Sequence, residues 1–162
     1  MAILTYSARI AWARYLLSRD LYLAIGRGKS SWDTEPEAID YNATALINEV
    51  GRKKMTRSFF VVEDDNGIYE MPSGRKYAYS GTPTRQIYLN CEFNYGEGVA
   101  APVREVGVFV DTEIRSGLPE TQTYFTPDQI KNVGNLILLE HLDTPETFTP
   151  TKKGSYGTIL II

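Results

Sequence analysis

The run Gly26-Arg27-Gly28-Lys29-Ser30 ends as a phosphate-binding loop ends, with glycines that would let backbone amides approach an anion and a lysine to neutralise it. The spacing does not fit that chemistry. Such a loop needs a glycine five positions ahead of its Gly-Lys pair, and that position holds Leu23; nor does Ser31-Trp32-Asp33 open an evident helix. What remains is an exposed turn after a strand. Cys91 and His141 are the sole residues of their types, so thiolate and imidazole ligands cannot gather around a metal within one chain. They could form a nucleophilic pair, but Cys91 lies in the apolar stretch from Ile87 to Phe93, where a thiol is buried and inert, and His141 has no readable orienting partner. Glu63-Asp64-Asp65-Asn66-Gly67 is acidic enough to attract calcium, yet it lacks the alternating oxygens and the distant glutamate of a calcium loop. A solvated hairpin tip fits it better. Asp111 and Glu113, two apart on a strand, would share a side as an acid and a base do, with nothing in the sequence to place a pocket beside them. Asn42-Ala43-Thr44 is a glycosylation acceptor only in a secreted chain. No catalytic residue, no cofactor-binding residue, no cofactor and no metal site is expected.

The elements that would carry these residues belong to an ordinary folding chain. With 162 residues, 43% hydrophobic and 23% charged, residues 1–162 read as a single domain whose core needs neither disulfide nor metal. A net charge of −3 gives no basic footprint for nucleic acid. Apolar runs such as Thr158 to Ile162 are far short of the ~20 residues of a spanning helix, so no membrane contact is expected. The first residues carry no export pattern, which points to a reducing compartment. Residues 1–60 hold nine basic and six acidic side chains against eight and fourteen in residues 61–162, a split that suits two solvated faces.

From Thr5 to Ser18 the stripe Tyr6, Ile10, Ala13 and Leu17 predicts a helix. Leu21 to Ile25, ended by Gly26, predicts a strand. Thr34-Glu35-Pro36-Glu37 reads as a capping box for a second helix along Ile39, Ala43, Leu46 and Val50, starting as late as Asn42 and stopping at Gly51. Beyond it, segments 57–63, 68–71, 75–79, 85–93, 105–112, 136–141 and 157–162 have strand character, with a tight hairpin turn at Asp65-Asn66-Gly67. Thr126-Pro127-Asp128-Gln129 opens a short helix near 127–132. The fold class is α+β, an antiparallel-rich β-sheet core with two N-terminal helices.

Two features favour partner binding. Thr158-Ile159-Leu160-Ile161-Ile162 is an uncharged, β-prone run that either completes the protein's own sheet or acts as an arm on a neighbour's edge. The chain also has 11 Tyr, 6 Phe and 2 Trp; Tyr22, Trp32 and Tyr41 lie among glycines and acidic residues, and Trp32 sits in a loop-like context that suits an interface anchor. An alternative use of these rings is as stacking platforms in a carbohydrate-binding or other ligand-binding module.

Tyr22-Leu23-Ala24-Ile25-Gly26-Arg27, followed by Ser31-Trp32-Asp33 and Pro36, resembles the aromatic, Gly-Arg, Trp-Asp and Pro signature of baseplate proteins from contractile-tailed bacteriophages. Pro102-Val103-Arg104-Glu105-Val106-Gly107-Val108-Phe109, Tyr124-Phe125-Thr126-Pro127 and Gly134-Asn135-Leu136-Ile137 are similar to the later part of wedge and sheath-initiator-like proteins. The chain departs from that pattern at Ser58-Phe59-Phe60-Val61-Val62, where the family would place a tryptophan-centred strand. The resemblance implies a non-enzymatic virion component, a wedge subunit, sheath-initiator-like protein or tube-sheath adaptor. It would sit in the tail baseplate, assemble in the host cytoplasm, and form a symmetric multi-copy assembly with tail tube, sheath or other baseplate proteins. Tyr22, Arg27, Trp32, Ile159, Leu160, Ile161 and Ile162 are the expected partner-binding residues.

Overall fold

Leu21-Tyr22-Leu23-Ala24-Ile25-Gly26 is apolar on both of its faces, and a strand of that kind belongs where both faces of a sheet are covered. The computed structural model, which describes residues 1–99 and 102–162, places it so. This strand, β1 (Leu21–Gly26), is fully buried at the centre of a five-stranded antiparallel sheet. Its neighbours are β2 (Glu49–Lys54) and β7 (Val103–Val110), with β9 (Tyr124–Phe125) and β11 (Asn135–Glu146) at the edges, in the order β11-β7-β1-β2-β9. A second antiparallel sheet has the order β12-β6-β3-β5-β4, from β3 (Arg57–Glu63), β4 (Tyr69–Glu70), β5 (Lys76–Tyr79), β6 (Gln86–Glu92) and β12 (Ser155–Ile161). A small ribbon pairs β8 (Glu113–Ile114) with β10 (Ile130–Asn132).

Alternation builds the core. Leu21, Leu23 and Ile25 of β1 and Val106, Val108 and Val110 of β7 join Ile87, Leu89 and Cys91 of β6 in one buried cluster. The corner between the sheets is pinned to both, since Met55 N donates to Leu21 O at 2.8 Å and Thr56 N to Asn90 O at 2.9 Å. Helix α1 (Tyr6–Leu17) starts where the sequence predicts, with Thr5 Oγ1 accepting from Ala8 N at 3.2 Å, and it closes on the same core through Ala13 and Leu16. On the other face of the first sheet Ala24 and Phe109 are covered by Leu46, Leu136 and Leu139. No helix among the described residues is long and apolar enough to cross a membrane.

The second N-terminal helix does not form. Thr34 Oγ1 donates to Ser31 O, and Glu37 accepts from Lys29 Nζ at 2.6 Å, so neither half of the capping box is made. Glu49 to Lys54 instead pair with β1, Gly51 opposite Ile25 and Arg52 opposite Ala24, a ladder that a helix ending at Gly51 would forfeit. Only a 3-10 turn at Ser30–Asp33 is helical there. The short helix near 127–132 is also reduced, to a 3-10 turn at Pro127–Gln129. Gln129 Oε1 accepts from Thr126 N at 3.1 Å, but Ile130 is extended and joins β10 opposite Ile114. Asp65-Asn66-Gly67 is a turn, with Gly67 N donating to Asp64 O at 2.8 Å, yet it does not connect paired neighbours, because β5 lies between β3 and β4.

Candidate functional site

Gly26 closes β1 beside Glu105, where a side chain would collide: a Cβ would lie 2.7 Å from Glu105 Oε1. Gly28 follows at φ +57°, a left-handed conformation that glycine takes without a Cβ penalty, and it lies against the six-membered ring of Trp32. The chain then turns through Ser30–Asp33, and Trp32 stacks on His141 of β11 with centroids 4.0 Å apart and planes 24° from parallel. Arg104 of β7 closes the arrangement. Its Nε and Nη2 donate to the two oxygens of Asp33 at 2.7 and 2.8 Å, and Nη1 donates to Arg27 O at 3.1 Å. That guanidinium holds the Asp33 carboxyl below its ordinary pKa.

Glu105 is 1% exposed and accepts a hydrogen bond from Ile47 N. Burial, with the charge of Glu49 added, raises its pKa above the ordinary value, against the Ile47 amide, which lowers it. Beside it lies a hollow of about 540 Å³ walled by Trp32, Glu37, Ile47, Leu139 and His141. Lys29, ahead of Trp32, lowers the pKa of Glu37. The Trp32 indole N–H, buried beside Glu37, adds to that lowering.

The residues expected to bind partners fall in separate places. Tyr22 is 7% exposed and meets Phe125 edge-on at 6.3 Å, so it packs under the segment that follows β8. Arg27 is exposed at the end of β1, and Trp32 is half-buried with His141 against its ring, which leaves little open aromatic face for a sugar. Ile159, Leu160 and Ile161 lie in β12, which pairs with β6 on one side; among the described residues no strand pairs with its other edge. Ile159 stands opposite Tyr88, which stands opposite Phe59, so the three share the outward face of the second sheet. Phe59, Tyr69, Tyr79 and Tyr88 form an aromatic cluster on that face, with centroids 4.6 Å apart for Tyr69 and Tyr88 and 5.7 Å for Phe59 and Tyr79. Leu160 and Ile162 pack inward against the main core.

The residues considered for chemistry are kept apart. Cys91 is fully buried, and burial pushes its thiol up to about 12. His141 Nδ1 lies 3.2 Å from Glu37 O. Asp111, at φ +61°, breaks the strand alternation and accepts from Arg19 Nε at 2.7 Å and Tyr15 OH at 3.1 Å, whereas Glu113 pairs with Lys131 at 3.1 Å. Among the described residues no group of three His, Cys, Asp or Glu side chains is placed to hold a metal.

A family model described as baseplate wedge 3 tail fiber network component matches residues 1–161. The chain belongs to this family. No curated protein matches it. As a baseplate wedge 3 tail fiber network component it is a structural protein of the phage baseplate, located in the virion tail, and a network component works through contacts with other baseplate or tail proteins. The two sequence blocks that carried the resemblance meet in space, through Asp33 and Arg104. Trp12 and Tyr15 stack at 5.3 Å on the exposed side of α1, an aromatic pair outside the residues expected to bind partners. Their signal was legible, because α1 has apolar residues on more than one face.

Proposed function

We propose that this chain is a non-enzymatic connector of a contractile-tail baseplate, present in several copies around the tail tube and joining it to sheath or wedge proteins. The family supports the baseplate setting. The observation that carries the connecting role is β12: an edge strand with one open row of backbone groups, whose outward Ile159 and Ile161 continue an aromatic face of Phe59, Tyr69, Tyr79 and Tyr88. An uncharged open edge is a template for a further strand. A neighbour's extended segment would take its hydrogen bonds from β12 and its side-chain contacts from Ile159 and Ile161. Arg27 and the clamp around Trp32 lie at the end of β1 and serve as a second, rigid contact region.

Ile161 is 44% exposed, so Ile161→Lys places a charge on the edge without entering the core. The variant is expected to melt as the parent does and to be missing from assembled tails when it replaces the parent during phage growth. A variant incorporated at the parental level would rule out the edge. Tagged parental protein, purified under mild salt, is expected to carry tube, sheath or wedge proteins in fixed ratio; recovery as a lone monomer would overturn the connector reading.

A further inference from the structure

Among the described residues, the charged side chains buried in the fold are Arg52, Lys53 and Glu105. The two cations are each paired, Arg52 with Glu49 and Lys53 with Glu97. Glu105 is not. Its Oε1 accepts from Ile47 N, while its Oε2 has no hydrogen bond and no cation pairs with the carboxylate among the described residues. His141 stands opposite it on β11, but turns its ring onto Trp32 and its Nδ1 to Glu37 O. A buried carboxylate that ionises without a cation costs stability, and a ligand that brings the cation removes that cost.

The hollow of about 540 Å³ gives such a ligand access. Glu105 lies on the face of the first sheet that carries Ala24 and Phe109, and it lines the hollow together with Ala45, Ile47 and Leu139, whose side chains offer apolar walls. Glu37 and Asp40 add two further carboxylates, against the single Lys29 that Glu37 already holds. We infer that the hollow is a socket for the ammonium group and alkyl stem of a lysine presented by a neighbouring baseplate protein, with Glu105 Oε2 as its acceptor. Arginine fits less well. Its fork matches both oxygens of a carboxylate, and here Oε1 is taken by Ile47 N, whereas an ammonium needs only one. A metal ion is also a poor occupant, because among the described residues no three His, Cys, Asp or Glu side chains are placed to hold one. The inference rests on the connector reading for the identity of the neighbour, and it gives the contact region around Trp32 a ligand of its own, away from the β12 edge.

The test titrates the intact, isotope-labelled chain at pH 7 with lysine blocked as its Nα-acetyl methylamide, following the Ile47 amide and the Trp32 indole N–H by NMR. The same derivatives of norleucine and arginine, and free spermidine, are titrated in parallel. The lysine compound is expected to shift both signals saturably, with a dissociation constant at least about ten-fold below those of the norleucine and arginine compounds. Glu105→Gln can keep an acceptor for Ile47 N but turns a donor toward the hollow, and is expected to lose the response. Ala45→Phe, at an exposed position on the wall, is expected to lose it by filling the hollow, and serves as the test should Glu105→Gln not fold. Equal affinity for the three compounds, no saturable shift with any, or a lysine response that survives these variants would overturn the inference. Tighter binding of spermidine than of the lysine compound would also overturn it, by assigning the hollow to a free polyamine. Because the readout is binding by the isolated chain, failure here leaves the tail-incorporation result for Ile161→Lys standing, and failure there leaves this one standing.

Discussion

Arg104 grips Asp33 at two points, Nε to Oδ1 at 2.7 Å and Nη2 to Oδ2 at 2.8 Å, across 71 positions of sequence. A planar guanidinium matches a carboxylate in this way and a lysine does not. With Nη1 on Arg27 O, one side chain ties the end of β1, the Trp32 turn and the start of β7 into a single unit. The Gly-Arg, Trp-Asp and Val-Arg-Glu elements of the sequence are thus parts of one structural clamp, and they need no chemistry to account for them.

Arg104→Lys is therefore expected to lower the melting temperature almost as far as Arg104→Ala, because an ammonium keeps the charge and loses the two-point geometry. Asp33→Asn should resemble both. Since Arg104 holds the Asp33 pKa below its ordinary 3.8, the stabilisation is fully present above that value and lost as the pH falls through the lowered one. Solvent at Asp33, whose side chain is 40% exposed, keeps the effect modest. Melts between pH 2 and 7 should show the parent losing its advantage over Asp33→Asn in acid; an advantage that survived there would contradict this account.

Arg52 is a different case, being wholly buried. Its Nε and Nη2 meet both oxygens of Glu49 at 2.8 and 2.9 Å, its Nη1 donates to Thr112 Oγ1 and Val133 O, and its Cζ lies 3.9 Å over the Phe109 ring. Removing one partner of a buried ion pair typically costs about 3–5 kcal/mol, since the other is left uncompensated. Arg52→Ala is expected to fall in that range by urea unfolding, and Arg52→Ala/Glu49→Ala to recover part of the loss. A cost below about 1 kcal/mol, the size of an exposed pair, would show that water replaces the guanidinium there.

Arg52 also marks where the sequence was legible and where it was not. β1 and α1 could be read locally, because a continuous apolar run and a Thr-capped periodic stripe each name their own structure. Val50 to Lys54 could not. Helical spacing from Ile39 to Val50 and a basic cluster after Gly51 imitate a helix end, and only the open edge of β1, a partner far away in sequence, makes the segment a strand with Arg52 turned inward. The same holds for Ile130, whose extended conformation depends on Ile114. Trp32 was recognised as unusual from its loop context, but its packing on His141 lies 109 positions away and leaves no local trace.

Cys91 lies in the core with its thiol pushed up to about 12, chiefly by burial. At pH 8 the native protein is expected to resist iodoacetamide, and to take up one equivalent per chain once unfolded in urea. Labelling of the native chain at the rate of a free thiol would place Cys91 at the surface and undo the packing described for β6.

Glu105 should act on stability with the opposite sign to Asp33. Its pKa is raised mainly by burial, so the folded protein holds the proton more tightly than the unfolded chain does. Below the ordinary value of 4.5 both states are protonated and the residue costs nothing. As the pH rises past that value the unfolded chain ionises first, stability falls, and the fall levels off once the folded carboxyl ionises too. Glu105→Gln removes this penalty and can keep the acceptor for Ile47 N, because its amide oxygen can occupy the place of Oε1. The variant is expected to match the parent near pH 4 and to be the more stable of the two at pH 7, by urea unfolding at both values. If it is instead the less stable at pH 7, the ionised carboxylate is being held by a favourable contact, and the hollow beside Trp32 and His141 is where that contact should be sought.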